Sequence, residues 1–233
     1  MRFLIQRYYP DQDRRPYLQA FELDDAEIPP GMMLLDALKQ LKEQDATLTF
    51  RHSCGEGVCG SDGLNINGRN ALACTTAVAE LKQPITVRSL PGMPIIRDLV
   101  VDMGNFLKQY RAVEPWLVRE EPMPELEITQ TPVERAELDG LYECILCGCC
   151  SAACPSYWWN PQRFLGPAAL LQAARFVLDS RDQAAERRLA QIDDAYKLFR
   201  CHSIMNCAEV CPKALNPTEA IGRLKQQMLK RSL

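Results

Sequence analysis

Cys144-Ile145-Leu146-Cys147-Gly148-Cys149-Cys150-Ser151-Ala152-Ala153-Cys154-Pro155 is the stretch that decides how this chain is read. It spells C-x2-C-x2-C-x3-C-P. Cys201, Ile204, Cys207, Cys211 and Pro212 repeat that spacing, with isoleucine where the second cysteine belongs. Runs of this form hold iron–sulfur clusters in pairs, and the fourth cysteine of each run ligates the cluster of the other. By that crossover Cys144, Cys147, Cys150 and Cys211 make a complete four-thiolate site, suited to [4Fe-4S]. Cys154, Cys201 and Cys207 are left as a three-thiolate site. A cube with three protein ligands loses its fourth iron most readily, so the partner cluster is expected to be [3Fe-4S]. A chain built this way is expected to move electrons. Structural zinc is the plainer use of cysteine, but it favours paired C-x2-C knuckles over a three-cysteine run closed by Cys-Pro. Cys149 falls outside the ligand spacing and reads as a space-filling bystander.

A third site lies upstream. Cys54, Cys59 and the distant Cys74 fit the C-x4-C-x2-C…C spacing of plant-type [2Fe-2S] sites, except that Asp62 stands at the third position. Glycines at 55, 57, 60 and 63 suit a loop wound tightly around a metal–sulfide rhomb. Asp62 offers a hard anionic oxygen in place of a thiolate and is expected as the fourth ligand; the alternative is a loop-surface acid. His52, beside this site, reads as an ordinary loop residue.

The remaining sequence supports two halves. The 233 residues are 47% hydrophobic and 24% charged, with net charge −3 and no long basic run, so nucleic acid is not expected as a partner. The 11 cysteines cluster at short spacings, as metal ligands in a reducing compartment do. No stretch approaches the roughly 18–20 apolar residues of a membrane span. The chain divides near residue 105, into residues 1–105 and 106–233. Strand-like segments Arg2–Tyr9, Pro16–Leu23, Leu64–Asn67 and Ile85–Ser89 surround one helical pattern, Met33–Gln44, whose Leu34, Leu35, Leu38 and Leu41 share a face. Asn67-Gly68 signals a hairpin turn. Pro115, Pro122, Pro124 and Pro132 then punctuate a connecting stretch. Helices are expected over Pro167–Leu178 and Gln183–Phe199, and after the start signals Thr131-Pro132-Val133-Glu134 and Asn216-Pro217-Thr218-Glu219. The fold class is α+β: a small mixed unit followed by a helical one.

Together Arg51–Cys59, the two cysteine runs, Tyr157-Trp158-Trp159-Asn160-Pro161 and Cys201-His202-Ser203-Ile204-Met205-Asn206-Cys207 resemble the iron–sulfur subunits of bacterial succinate dehydrogenases. The resemblance extends over essentially the whole chain. It implies an N-terminal plant-ferredoxin-like β-grasp domain and a C-terminal, all-α, bacterial-ferredoxin-like domain. It also implies partners: a flavoprotein subunit that oxidises succinate on FAD, and two membrane-anchor subunits that can hold haem b. Electrons would pass through [2Fe-2S], [4Fe-4S] and [3Fe-4S] to ubiquinone. Residues matching Pro155, Trp159, His202 and Ile204 line or approach the family's quinone pocket. Trp158 reads instead as an anchor against the membrane subunits, and His202 could equally be a hydrogen-bonded structural histidine. Arg163, Lys197 and Arg200 either compensate cluster charge or are solvated helix cations. Asp62 in place of cysteine departs from plant ferredoxins but is similar to a variation among bacterial members.

The start of the chain, with no transit peptide before Arg2, is expected for a bacterial protein held peripherally on the cytoplasmic face of the inner membrane. The rival readings are the iron–sulfur subunit of a quinol:fumarate reductase, which runs the same wire in reverse, and a freestanding ferredoxin. The Trp158-Trp159 pair and the Cys201–Ile204 stretch resemble the succinate-oxidising branch.

Overall fold

The computed structural model describes residues 1–122 and 124–232. They fall into two compact units.

The first unit comprises Met1–Met103 and Ile145–Ala153. Its sheet has the order β2-β1-β5-β3-β4, from β1 (Arg2–Arg7), β2 (Tyr17–Glu22), β3 (Gly63–Ile66), β4 (Arg69–Leu72) and β5 (Ile85–Arg88). β1 pairs antiparallel with β2 and parallel with β5, and β3 pairs antiparallel with both β4 and β5. Asn67 (φ 48°) and Gly68 (φ 89°) supply the two left-handed residues of the β3–β4 hairpin, the geometry that an Asn-Gly turn favours. The helix Leu34–Gln44 buries Leu34, Leu35, Ala37, Leu38 and Leu41 in the core that also holds Phe3, Ile5, Ile85 and Val87. This is the β-grasp arrangement. At about 1.5–3 kcal/mol per fully buried large apolar side chain, that face supplies most of what holds the helix down.

A polar knot closes one end of β1. Arg7 Nε donates to Asp98 Oδ1 at 3.1 Å and Nη1 to Asp45 Oδ2 at 2.7 Å. Asp98 also accepts the Tyr8 and Thr49 N–H groups, both at 2.9 Å. The Thr47 hydroxyl, and then the Arg7 guanidinium, hold the Asp45 carboxyl well below the usual carboxylate range. Because the folded value is depressed, this stability is present above the ordinary carboxylate pKa of ~3.9 and is lost as pH falls toward the folded value. Asp45→Asn is therefore expected to flatten the acid limb of the stability–pH curve below about pH 4, as read by urea titration.

Ile145–Ala153 lies inside residues 106–233 by chain order, yet it packs with this first unit. Asn70 Nδ2 donates to the Cys149 carbonyl at 3.0 Å. The side-chain-free faces of Gly60 and Gly63 leave room for the segment.

The second unit comprises Gly104–Cys144 and Cys154–Leu233. Its centre is the helix Gly166–Val177, buried along nearly its whole length, against which the helices Gly104–Arg111, Ala185–Ile192 and Pro217–Ser232 pack. Thr131 and Glu134 form the expected capping box, opening the short helix Pro132–Ala136. Asn216 Oδ1 accepts the Glu219 N–H at 3.1 Å at the start of the last helix. The helix expected over Gln183–Phe199 is shorter, Ala185–Ile192. Asp194 Oδ1 accepts the N–H groups of Tyr196 (2.7 Å) and Lys197 (3.2 Å), and this local turn replaces the next helical one.

Candidate metal centres

In the first unit, Cys54 and Cys59 are exposed on the loop before β3, while Cys74 sits on the buried turn Ala73–Thr75. The loop winds around the Cys54 sulfur, which accepts N–H groups from Glu56 (3.4 Å), Val58 (3.4 Å) and Cys59 (3.3 Å). Inward-turned amides of this kind suit an anionic thiolate bound to a cluster. Cys59 Sγ lies 3.1 Å from the Ser61 hydroxyl, whose hydrogen bond draws the thiol down to about 7. Burial, and then the hydrogen bond with Asp62, push the Cys74 thiol up to about 12.

Asp62 is 3% exposed, which does not suit a loop-surface acid. Its Oδ2 accepts the Cys74 N–H at 2.6 Å, and its carbonyl accepts the Ala73 N–H at 3.1 Å. Its other carboxylate oxygen, Oδ1, is buried with no hydrogen-bond partner. A buried, orphaned anionic oxygen is costly unless something electropositive meets it. Three thiols and this oxygen fit a [2Fe-2S] group. Ser61 was not anticipated from the sequence, which carries no spacing signal for a hydroxyl donor.

Of the residues read as the four-thiolate site, Cys147 and Cys150 fold with the first unit, whereas Cys144 and Cys211 pack on the apolar core of the second. A hydrogen bond with Cys149 holds the Cys147 thiol below its ordinary value. Cys149 itself is fully buried.

The three-thiolate set lies entirely within the second unit. Cys154, Cys201 and Cys207 line one open cavity, together with Pro155, His202 and Ile204. Burial pushes the Cys154 and Cys207 thiols up, and the charges of neighbouring cysteines add to the effect. Cys207 Sγ lies 3.2 Å from the Thr218 hydroxyl, and Lys225 Nζ donates to the Cys201 carbonyl at 2.9 Å. The motif around Thr218 had announced only a helix start. Trp159 is 72% exposed and does not line this cavity. Two of the nearby cations have structural partners: Arg163 stacks 3.5 Å over the Tyr196 ring and Lys197 donates to the Gln191 carbonyl at 2.6 Å.

The two cysteine runs share a backbone. Leu146 (φ 54°) and Gly148 (φ 82°) flank Cys147; Ser203 (φ 55°) and Met205 (φ 71°) flank Ile204. Each run continues into a one-turn helix, Cys149–Ala152 in one and Asn206–Glu209 in the other. Ile204 therefore occupies the place that Cys147 holds in the first run. Among the described residues, no three His, Cys, Asp or Glu side chains converge as a single ion would require. Thiolates that each bind a different iron of one cluster need no such convergence.

Known proteins resemble this chain in both halves. Residues 2–108 match the family described as a 2Fe-2S iron-sulfur cluster binding domain, and residues 140–215 match a 4Fe-4S dicluster domain. The succinate dehydrogenase iron-sulfur subunit of Coxiella burnetii is 55% identical over 230 residues, spanning 99% of this chain and 97% of the relative. The mitochondrial succinate dehydrogenase [ubiquinone] iron-sulfur subunit 1 of Oryza sativa is 52% identical over 98% of this chain and 82% of its own length. The Paracoccus denitrificans succinate dehydrogenase iron-sulfur subunit is 48% identical over 99% and 88%. In structure, a chain of the Mycobacterium smegmatis Sdh1 complex in the apo form matches with a TM-score of 0.83, covering 99% of this chain and 95% of that one. At 24% identity that likeness speaks to the fold alone.

Proposed function

The chain belongs to the succinate dehydrogenase iron–sulfur subunit family, a subunit of an oxidoreductase complex, and from that premise we propose that it conducts electrons from FAD on a flavoprotein subunit to ubiquinone at the membrane. The ligands are assigned as Cys54, Cys59, Asp62 and Cys74 for [2Fe-2S]; Cys144, Cys147, Cys150 and Cys211 for [4Fe-4S]; and Cys154, Cys201 and Cys207 for [3Fe-4S]. When bound, the three clusters supply one-electron carriers of graded potential.

The observation that carries this reading is the cavity in the helical unit: three thiols, with Ile204 where a fourth ligand would stand. The chain's own residues set the environment of each centre. Amides from Glu56, Val58 and Cys59 stabilise negative charge on the Cys54 sulfur, and the Thr218 hydroxyl is placed to do the same at Cys207. Pro155, His202 and Ile204 line the cavity beside the thiols. The His202 imidazole, which can donate or accept a hydrogen bond, is assigned to a quinone carbonyl. Trp159, exposed on the neighbouring helix Pro155–Trp159, offers an indole N–H that can only donate.

Among the described residues no helix is long and apolar enough to cross a membrane. Attachment is assigned to two membrane-anchor subunits, on the cytoplasmic face of a bacterial inner membrane. The relatives' succinate dehydrogenase names favour this direction of flow over fumarate reduction.

Low-temperature EPR of the membrane-bound complex tests the reading. The expected result is a [3Fe-4S] signal in the oxidised sample that disappears on adding succinate, while a reduced [2Fe-2S] signal grows in. A [3Fe-4S] signal that yields to dithionite but not to succinate would keep the clusters and remove the substrate. No such signal would mean that the gap at Ile204 does not mark a three-iron site.

A further inference from the structure

The geometry points to a spacing role for Gly60 and Gly63: their missing side chains let the loop carrying Asp62 lie against Cys147, which sets how closely the first cluster's ligand loop approaches a ligand of the second. This inference rests on the ligand assignment proposed above. A Cβ on Gly60 would stand 2.8 Å from the Ile145 carbonyl oxygen, 2.9 Å from Cys147 Cβ and 3.0 Å from Cys147 Cα. A Cβ on Gly63 would stand 3.0 Å from the Cys147 carbonyl oxygen and 3.4 Å from Cys149 Sγ. Carbon atoms pack best at about 3.5–4.0 Å, so a larger residue at 60 must push the two backbones apart. At 63 the Cys147 carbonyl would have to give by a smaller amount.

The two glycines differ in why they are needed. Gly60, at φ +67°, occupies a conformation that favours glycine in any case. Gly63 carries no such backbone demand, and it opens β3, where glycine is otherwise a poor strand residue. Space alone calls for glycine there. The opposing segment is tethered to β4, where Asn70 Nδ2 donates to the Cys149 carbonyl at 3.0 Å. Asp62, the one non-thiolate ligand assigned to the first cluster, lies between the two spacers. Electron transfer between fixed centres falls steeply with separation, so the seat that brings these loops into contact matters to the rate.

The test compares Gly60→Ala, Gly63→Ala and Gly68→Ala in the membrane-bound complex. Gly68 shares the left-handed backbone (φ +89°), but it lies in the β3–β4 turn, outside the loop of residues 54–62, and its added Cβ would meet nothing within 4 Å. It therefore controls for backbone strain without contact. The readout is the microwave power that half-saturates the reduced [2Fe-2S] signal, measured with the second cluster oxidised and then reduced. The relaxation enhancement between the two states reports the distance between the spins. It is expected to fall most in Gly60→Ala and less in Gly63→Ala, and to match the unsubstituted complex in Gly68→Ala. Full enhancement in both spacer variants, or an equal loss in Gly68→Ala, would overturn the proposal. So would spacer variants that fail to load the second cluster while Gly68→Ala loads it, because the glycines would then serve insertion and not spacing. Absence of a [2Fe-2S] signal from the unsubstituted complex would instead remove the ligand assignment underneath.

Discussion

Replacing Ile204 with cysteine is expected to abolish the [3Fe-4S] signal, create a second [4Fe-4S] centre of lower potential, and slow quinone reduction with little loss of stability. Ile204 lines the same cavity as Cys154, Cys201 and Cys207. Its flanking φ angles, 55° and 71°, match the 54° and 82° around Cys147, so a thiol at 204 would start from a backbone already bent to present a ligand. Ile204 is half-exposed, so removing its branched side chain forfeits only part of the ~2 kcal/mol that a buried one contributes. A fourth thiolate adds negative charge, which disfavours the reduced state and lowers the potential. Ile204→Ser separates charge from volume: it makes a comparable void but supplies no soft sulfur, and is expected to keep the three-iron signal. Potentiometric EPR on both variants decides the matter. A [3Fe-4S] signal surviving in a fully folded Ile204→Cys complex would break the pairing of Cys154 with Cys201 and Cys207.

What could be read in advance was whatever is local in sequence. The Leu34–Leu41 helix, the Asn67-Gly68 hairpin and the capping box at Thr131 each state their geometry within a few residues. The cysteine runs do too, because cluster ligands need short, fixed spacings. What escaped depends on distant partners. Ser61 beside Cys59 and Thr218 beside Cys207 are ordinary hydroxyls until the fold brings them to a sulfur. The helix expected over Gln183–Phe199 stops at Ile192, and Asp194 captures two backbone amides just beyond it. The match between the runs at Ser203 and Met205 was hidden as well, since neither residue type announces a left-handed conformation. Asp62 was legible as a candidate by position, but only its burial and its unpartnered oxygen show how it differs from a surface acid.

Arg188 was unreadable for the same reason, and it carries the second large prediction. In sequence it sits beside Arg187 in a helix that looks charged and solvated; in the fold it is 0% exposed. Its guanidinium donates to the carbonyls of Val113 (2.8 Å), Glu114 and Trp116 (2.7 Å), and to Asp182 Oδ2 at 2.9 Å. Asp182, equally buried, also accepts the N–H groups of Val118 (2.9 Å) and Ala184 (2.9 Å). One cation thus ties the turn that follows the helix Gly104–Arg111 to the helix Ala185–Ile192. Arg188→Met keeps most of the volume but leaves a buried carboxylate without its counter-ion and three carbonyls without a donor, at a cost of about 3–5 kcal/mol. Against a total stability of about 5–15 kcal/mol, the folding equilibrium falls by roughly two to four orders of magnitude. Arg188→Lys is expected to recover only part of this, because a single ammonium cannot span acceptors that a planar fork reaches together. Adding Asp182→Asn to Arg188→Met is expected to cost less than the sum of the two changes, since the stranded charge is what makes the single variant severe. Urea denaturation, with limited proteolysis between residues 113 and 119, reads both effects. Simple additivity would show that the carbonyl contacts, and not the ion pair, hold this turn in place.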